Sequence, residues 1–344
     1  MASFVRAFAL TATLASMSGG AHADMPINSA VHAQVIEAYS TKMQANYVSP
    51  EVASRVAADL RLRLKRGDYA AVKSAEAFAA MLTEQLIEQT KDEHVEVLFM
   101  ATPVEPDNPP GFVPDPRKSD PEGWIERLRR GIHAAHKENY GFGISERLAN
   151  NIAYVKIDVF YEPALAASAV ASAMSAISDA SALILDLRGN GGGSSDTGVL
   201  ISSYLFDDTP VHLTDRYTRG TNRTEPIWTR PVASDLRFGS KKPAYVLIDK
   251  DTFSAAEDLA YALQALKRVT VVGERSKGGA NGARGYKLAE HFLGSIPNRT
   301  TINPVTRTNW QGTGIKPDVA VTAQQALAVA QALAIKAIGA TARK

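Results

Sequence analysis

One serine stands where a hydrolase would place a nucleophile. Ser254 lies in "DKDTFSAAEDLAYALQ" (249–264), after the apolar run "AYVLI" (244–248) and at the start of a helical pattern. A serine at a helix start is most often an N-cap, whose hydroxyl accepts a hydrogen bond from a backbone N–H of the first turn. The end of a buried strand is also where α/β proteins bind ligands, and a helix N-terminus favours negative charge. The local sequence therefore leaves both roles open, cap and nucleophile.

A glycine-rich loop, "DLRGNGGGSSD" (186–196), follows another predicted buried strand. Glycines allow a tight turn and bring backbone N–H groups close to a negatively charged group. A dinucleotide fingerprint would need a glycine at Ser194 and a P-loop would need Gly-Lys-Ser/Thr, so nucleotide binding is poorly supported. An oxyanion hole needs one or two N–H groups. The loop is either such a hole or a tight strand-to-helix turn.

Two further polar residues, His94 and Gln311, are candidates for a role in the same site. His94, one of seven histidines, follows "TKDE" at the junction between a predicted helical domain and the core. A lone histidine is usually packed or exposed, and it acts as a base only with a partner. Gln311 lies in "NWQGTGIKPDV" (309–319), a glycine-flanked turn into a last strand, where a turn residue is the better interpretation. Because HExxH is absent and the histidines are scattered, no metal or cofactor is expected.

The sequence divides into four predicted segments. A signal peptide is predicted at 1–23, an N-terminal helical domain at 24–100, a proline-rich linker at 101–121 and an α/β core at 122–344. The second segment contains three helical patterns, closing with a strand at 94–101. The fourth opens with a helix at 122–139 and a hairpin that turns at 149–151, and strands then alternate with helices until a terminal helix. Such alternation predicts an α/β layered core.

Composition restricts the function further. The chain of 344 residues is 45% hydrophobic, contains no cysteine and has a net charge of +2. A cysteine nucleophile and thiolate metal sites are therefore excluded. The basic residues do not cluster enough to indicate nucleic acid or a membrane surface, and no later segment approaches the roughly 20 apolar residues of a spanning helix. The apolar N-terminal stretch ending in "AHA" (21–23) is typical of a cleaved secretory signal, which predicts a periplasmic or secreted protein beginning at Asp24.

Taken in order, the motifs resemble those of one superfamily: the C-terminal-processing peptidases, the tricorn protease core and the interphotoreceptor retinoid-binding protein repeats. The resemblance runs from about residue 28 to 322. It rests on "YVSPEVASRVAADLRLRL", "DEHVEV", "DLRGNGGG", "TFSAAEDLAYAL", "VVGERSKGGAN" and "NWQGTGIKPDV". It implies a ClpP/crotonase-like layered β-α core with a small N-terminal helical bundle.

The resemblance also implies an active site. The serine before "AAE" is the nucleophile in this superfamily, which corresponds to Ser254. The backbone N–H groups of Ala255 and of a glycine in the loop, Gly192 with Gly191 beside it, would bind the oxyanion.

The branches of the superfamily differ in the base. Processing peptidases use a lysine where this chain has Gly279, and Lys277, two residues earlier, is not expected to replace it. The segment 101–140 is also too short and proline-rich for a PDZ domain. The layout is closest to the retinoid-binding branch.

In the tricorn-like branch a histidine at the position of His94 acts as base, preceded by a serine where this chain has Glu93. An acidic residue orients that site, and Gln311 occupies its position here. A glutamine can form hydrogen bonds but cannot stabilise an imidazolium by charge.

Two functions follow from the resemblance. The favoured one is an exported serine-type peptidase with Ser254 as nucleophile, His94 as base and Gln311 as the orienting residue, acting on a peptide or protein. The alternative is a weak or inactive binding module for a peptide or a small apolar ligand, as in the retinoid-binding repeats. The sequence specifies neither the cleavage preference nor the oligomeric state.

Overall fold

The computed structural model describes residues 25–104 and 139–341. The predicted signal peptide, the linker from residue 105 onward and the helix predicted at 122–139, up to residue 138, lie outside the described residues. Within them, no helix is long and apolar enough to cross a membrane.

The three helices predicted in the N-terminal segment are present. They are α1 (Ser29–Asn46), α2 (Pro50–Arg66) and α3 (Ala75–Thr90). Each begins after a polar residue whose side chain accepts hydrogen bonds from N–H groups of the first turn: Asn28, Ser49 and Ser74. Such caps satisfy donors that have no partner within the helix, and they explain why the helices begin where they do.

A six-stranded sheet forms the centre of the core. Its strands in chain order are β2 (Phe142–Leu148), β3 (Ile152–Ile157), β4 (Ala182–Asp186), β7 (Ala244–Ile248), β8 (Thr270–Gly273) and β11 (Val319–Ala320). The spatial order is β11-β8-β7-β4-β3-β2, with β2 antiparallel to β3 and the other neighbours parallel. Every residue of β4 and β7 is buried. Strands of a parallel sheet are covered on both faces, which explains their continuous apolar sequences.

Helices cover both faces of this sheet. They are α4 (Pro163–Ile177), α5 (Ser195–Ser203), α6 (Ala255–Ala265) and α7 (Ala323–Thr341). Apolar residues of α4, α5 and α6 pack with one set of strand residues, including Leu185 and Val246. Alanines of α7 pack with the alternate set, including Ile184 and Leu247. The predicted layered β-α architecture is confirmed.

A second, antiparallel sheet connects the N-terminal helices to the core. Its strands are β1 (Glu96–Phe99), β5 (His212–Thr218), β6 (Arg223–Trp228), β9 (Asn281–Ala289) and β10 (Phe292–Ile302). The strand β1 pairs with β10, and apolar residues of α1–α3 share a buried cluster with Leu288 and Phe292. Strands β6, β9 and β10 were not predicted. The pairing of β1 with β10 brings the segment before β1 towards the end of β7, where the site lies.

Candidate active site

The turn between β7 and α6 presents Ser254 in an uncommon backbone conformation. Its φ is 54° and its ψ is −120°. A residue with a side chain rarely adopts a positive φ, and strained backbone conformations cluster at active sites and ligand-binding segments. The Asp249 carboxylate stabilises the turn by accepting hydrogen bonds of 3.0 Å from the N–H groups of Asp251 and Thr252. It also accepts one from Gly189, which ties the turn to the glycine-rich loop.

The side chain of His94 lies against that of Ser254. Its Nε2 is 3.1 Å from Ser254 Oγ, although 160 residues separate the two in sequence. The imidazole stacks on Phe253, with 4.5 Å between ring centroids and 23° between ring planes. A nitrogen at this distance can take the hydroxyl proton.

Asp92 occupies the other side of the imidazole. Its Oδ1 lies 3.3 Å from His94 Nδ1 and accepts a 3.0 Å hydrogen bond from the His94 N–H. Its Oδ2 accepts hydrogen bonds from Asn281 Nδ2 at 2.8 Å and from the Tyr47 hydroxyl at 3.3 Å. The residue is 0% exposed. Burial opposes its ionisation, but the hydrogen bonds from His94 and Asn281 outweigh burial and hold the pKa of this carboxyl below its ordinary value.

Sequence reasoning did not single out Asp92. The pattern Asp-x-His was a usable signal, because an aspartate often accepts a hydrogen bond from the N–H two residues later. That local bond places the carboxylate beside the histidine ring.

Gln311 lies near the site but not at Nδ1 of His94. Its Oε1 accepts hydrogen bonds from the N–H groups of Ala280 at 2.8 Å and Asn281 at 3.2 Å. Its Nε2 lies 3.5 Å from the carbonyl oxygen of Lys91. Asp92, and not Gln311, therefore supplies the negative charge beside the imidazole. Gln311 holds the backbone that precedes Asp92 and the backbone that carries Asn281.

The loop after β8 leaves no room for a side chain at Gly279. A Cβ there would overlap the ring of Phe253 and lie 2.7 Å from Cε1 of His94. Lys277 forms an ion pair with Glu93, and its ammonium lies 5.0 Å from the centroid of the Phe253 ring. Histidine and phenylalanine thus fill the space next to the serine.

A buried carboxylate, Glu257, connects this loop to the serine. It is 0% exposed. Its oxygens accept hydrogen bonds from the N–H groups of Ser254 at 2.9 Å, Gly278 at 2.7 Å and Gly279 at 2.8 Å, and from the Ser276 hydroxyl at 2.6 Å. Burial raises the pKa of Glu257, and these hydrogen bonds oppose the rise. Sequence reasoning did not single it out, although Ser-x-x-Glu at a helix start is the pattern of a capping box.

The glycine-rich loop approaches the serine closely. A Cβ at Gly192, whose φ is +103°, would lie 2.8 Å from Ser254 Cβ and 3.0 Å from the Ala255 nitrogen, so a side chain is excluded. The N–H of Gly192 donates a 2.8 Å hydrogen bond to Asn190 Oδ1. The N–H groups of Ala255 and Gly191 have no acceptor among the described residues. Of the three residues predicted to form the oxyanion hole, these two have available donors in this conformation.

Ser254, His94, Ala255 and Gly191 line one cavity of about 210 Å³. Arginine and acidic side chains line other parts of the same cavity. In the described part of the chain, no cluster of three His, Cys, Asp or Glu residues could hold a metal ion.

Two family models match the chain. The model of peptidase family S41 matches residues 151–321. The model of the N-terminal domain of peptidase S41 in eukaryotic interphotoreceptor retinoid-binding protein matches residues 26–128. Together the two matches span more than half of the chain, and they include the positions of both Ser254 and His94.

Curated relatives match a shorter region. The chloroplastic carboxyl-terminal-processing peptidase 2 of Arabidopsis thaliana is 34% identical over 130 residues, which are 37% of this chain and 24% of the relative. The carboxy-terminal-processing protease of Bartonella bacilliformis is 30% identical over 148 residues, 40% of this chain and 30% of the relative. The match therefore covers less than a third of the length of either relative.

Solved structures share the fold. The photosystem II D1 C-terminal processing protease has a TM-score of 0.51 at 15% identity, covering 86% of this chain and 94% of that chain. Tricorn protease has a TM-score of 0.55 at 13% identity, covering 89% of this chain and 37% of that chain. A lipoprotein from Streptococcus agalactiae has a TM-score of 0.55 at 14% identity, covering 91% and 98%.

Proposed function

Because the chain belongs to peptidase family S41, within the superfamily of C-terminal-processing peptidases, tricorn core and retinoid-binding repeats, we propose that it is an exported serine-type peptidase. The observation that supports this most directly is the line of contacts from Ser254 Oγ to His94 Nε2 and from His94 Nδ1 to Asp92 Oδ1, at 3.1 and 3.3 Å. A nucleophile, a base and a carboxylate that orients the base are the parts of a serine-hydrolase triad.

In the proposed reaction, Ser254 Oγ attacks the carbonyl carbon of a peptide bond while its proton passes to His94 Nε2. The Asp92 carboxylate accepts the Nδ1–H of His94, which keeps Nε2 free as the acceptor and stabilises the imidazolium that forms. The N–H groups of Ala255 and Gly191 donate to the oxyanion. The C–N bond then breaks as His94 protonates the leaving amine.

The second half of the proposed reaction releases the acyl group. A water molecule gives a proton to His94 Nε2 and attacks the ester carbonyl, the same N–H groups hold the new oxyanion, and the proton returns to Ser254 Oγ as the carboxylic acid leaves. Gln311 and Glu257 act as positioning residues in this scheme. Gln311 holds the backbone around Asp92 and Asn281, and Glu257 holds the strained serine.

The proposed substrate is a peptide or protein in the periplasm or outside the cell. The N-terminal stretch ending in "AHA" (21–23) supports export. Membership in a peptidase family supports the substrate class.

A binding module remains the second candidate, because the match to the N-terminal domain of the retinoid-binding type favours it. The charged side chains of the cavity, among them Glu96, Arg216, Asp258 and Arg299, do not suit an apolar ligand. The peptidase is therefore the better supported function.

A fluorophosphonate probe separates the two candidates. It reacts with an activated serine, so we expect labelling of the wild-type protein at Ser254, no labelling of Ser254→Ala, and strongly reduced labelling of His94→Ala. Ser181→Ala, which leaves the site unchanged, is the control. An unlabelled wild-type protein whose tryptophan fluorescence is quenched saturably by retinol would establish the binding module instead.

A further inference from the structure

Two arginines lie side by side on one face of the antiparallel sheet. Arg216 of β5 is paired with Thr301 of β10, and Arg299 of β10 is paired with Thr218 of β5. Residues directly opposite each other, and residues two apart on one strand, share a face. Arg216 and Arg299 are therefore diagonal neighbours, and both line the cavity that contains Ser254.

The guanidinium of Arg299 has no ion pair among the residues that the structure describes. It is half-buried next to Gly282, where a Cβ would lie 3.4 Å from Arg299 Nε. Burial and the neighbouring charge of Arg216 lower the pKa of Arg299, while Asp196 and Glu162 oppose this effect. Two neighbouring guanidinium groups that are partly buried from solvent attract an anion.

The acidic groups around the arginines already have partners. Asp196 lies 3.8 Å from Arg216 and 3.3 Å from Arg230, measured from Oδ1 to Nη2 in each case. Glu162 accepts a 2.9 Å hydrogen bond from the Ser194 hydroxyl.

Asp258, one helical turn after Ser254, is buried, and burial raises its pKa to about 6 in spite of Arg216 and a hydrogen bond from Ser195. Because these acidic groups have partners of their own, the N–H groups of the Arg299 guanidinium are available to an incoming group.

We propose that Arg216 and Arg299 bind a carboxylate of the substrate and so give the cavity a preference for a peptide that carries a carboxylate over one that does not. This inference rests on the proposed peptidase function. A planar guanidinium can donate two parallel hydrogen bonds to one carboxylate, which gives both affinity and orientation. An aspartate or glutamate side chain carries this group, and so does a free peptide C-terminus.

Binding to the Ser254→Ala variant tests the proposal without turnover. Isothermal titration compares four acetylated pentapeptides: Ala-Ala-Glu-Ala-Ala amide, the same amides with Gln or Lys at the centre, and the Gln peptide with a free C-terminus. We expect a peptide with a carboxylate to bind roughly tenfold to a hundredfold more tightly than the Gln amide. The Glu amide and the free-acid peptide distinguish the two sources of the carboxylate.

Variants of the arginines connect the preference to the site. Added to Ser254→Ala, both Arg299→Gln and Arg216→Gln should abolish the preference, Arg299→Lys should keep part of it, and Arg223→Gln, an exposed arginine of β6, should leave it unchanged. Circular dichroism and thermal unfolding check the fold of each, and Arg216→Gln with Arg299→Lys decides the matter if Arg299→Gln does not fold.

Equal binding of the Glu, Gln and free-acid peptides, tighter binding of the Lys peptide, or a carboxylate preference that survives both glutamine variants would overturn the proposal. The labelling experiment tests the peptidase function independently of these binding measurements. If that function is wrong, the fluorophosphonate does not label the wild-type protein.

Discussion

Gly279 lies against His94 so closely that a Cβ at position 279 would come within 2.7 Å of Cε1 of the imidazole. The processing peptidases that the sequence resembles use a lysine at this position. In this chain the histidine and Phe253, on which it stacks, occupy the space that such a lysine would need. The histidine on the N-terminal segment and the glycine in the loop are therefore two parts of one packing arrangement.

Gly279→Ala should inactivate the serine. The added methyl group would displace His94 or Phe253, and a shift of about 1 Å in a reacting group can reduce the rate about a hundredfold. The measurement is the rate at which the fluorophosphonate labels Ser254. Gly220→Ala, where a Cβ would meet no atom within 4 Å, is the matched control. Labelling of Gly279→Ala at the wild-type rate would contradict the assignment of His94 as base.

Asp92→Asn should lower activity while the protein stays folded. The amide would no longer stabilise a charged imidazole, and we expect labelling and hydrolysis to fall on the order of a hundredfold or more. The control is Asp68→Asn, an exposed aspartate beyond the end of α2. If Asp92→Asn labels like the control, the carboxylate has a structural role only.

Glu257→Gln should reduce both stability and labelling. The carboxylate accepts four hydrogen bonds, and an amide group in its place would turn an N–H towards some of the same donors. An unpaired buried donor costs about 1–3 kcal/mol, so the free energy of unfolding in urea should fall by at least that amount. Glu88→Gln, at an exposed position of α3, should change neither quantity. Unchanged stability of Glu257→Gln would show that its hydrogen bonds are replaceable.

The carboxyl group of Glu96, which also lines the cavity, should make the stability of the protein depend on pH. Burial raises the pKa of Glu96 from its ordinary value of 4.5 to about 7. Between these two values the folded protein holds a proton that the unfolded chain has released, so this group makes the free energy of unfolding decrease as the pH rises from 4.5 to 7.

Glu96→Gln should remove that decrease and make the protein more stable than wild type at pH 8. Urea unfolding at several pH values measures it, with Glu225→Gln on the exposed strand β6 as control. A wild-type pH profile in the Glu96→Gln protein would mean that folding does not raise the pKa of the Glu96 carboxyl.

The sequence was most informative where a local pattern and a function coincide. The strand-turn-helix around Ser254 and the glycine-rich loop are formed by contiguous residues, so they could be predicted without the structure. The structure brings Ser254 and His94 together, as the resemblance implied, while their catalytic roles stay predictions.

Other parts depend on contacts between distant residues. Asp92 is oriented by Asn281, 189 positions later, and the sequence analysis predicted Gln311 as the orienting residue without singling out Asp92. The N–H of Gly192 is bonded to Asn190, so Gly191 offers the free donor, and this depends on a side-chain orientation that spacing does not encode. Strands β9 and β10 were not predicted because glycines, charged residues and a proline interrupt their apolar pattern.

The pairing of β1 with β10 has a consequence for the newly made chain. His94, the proposed base, precedes β1, and Ser254, the proposed nucleophile, follows β7, so synthesis produces the two groups 160 residues apart. The pairing of residues 96–99 with residues 292–295 holds the segment that carries His94 next to Ser254. The strand β10 is synthesised after Ser254, so we expect the proposed peptidase to become reactive only once β10 has been made and has paired with β1.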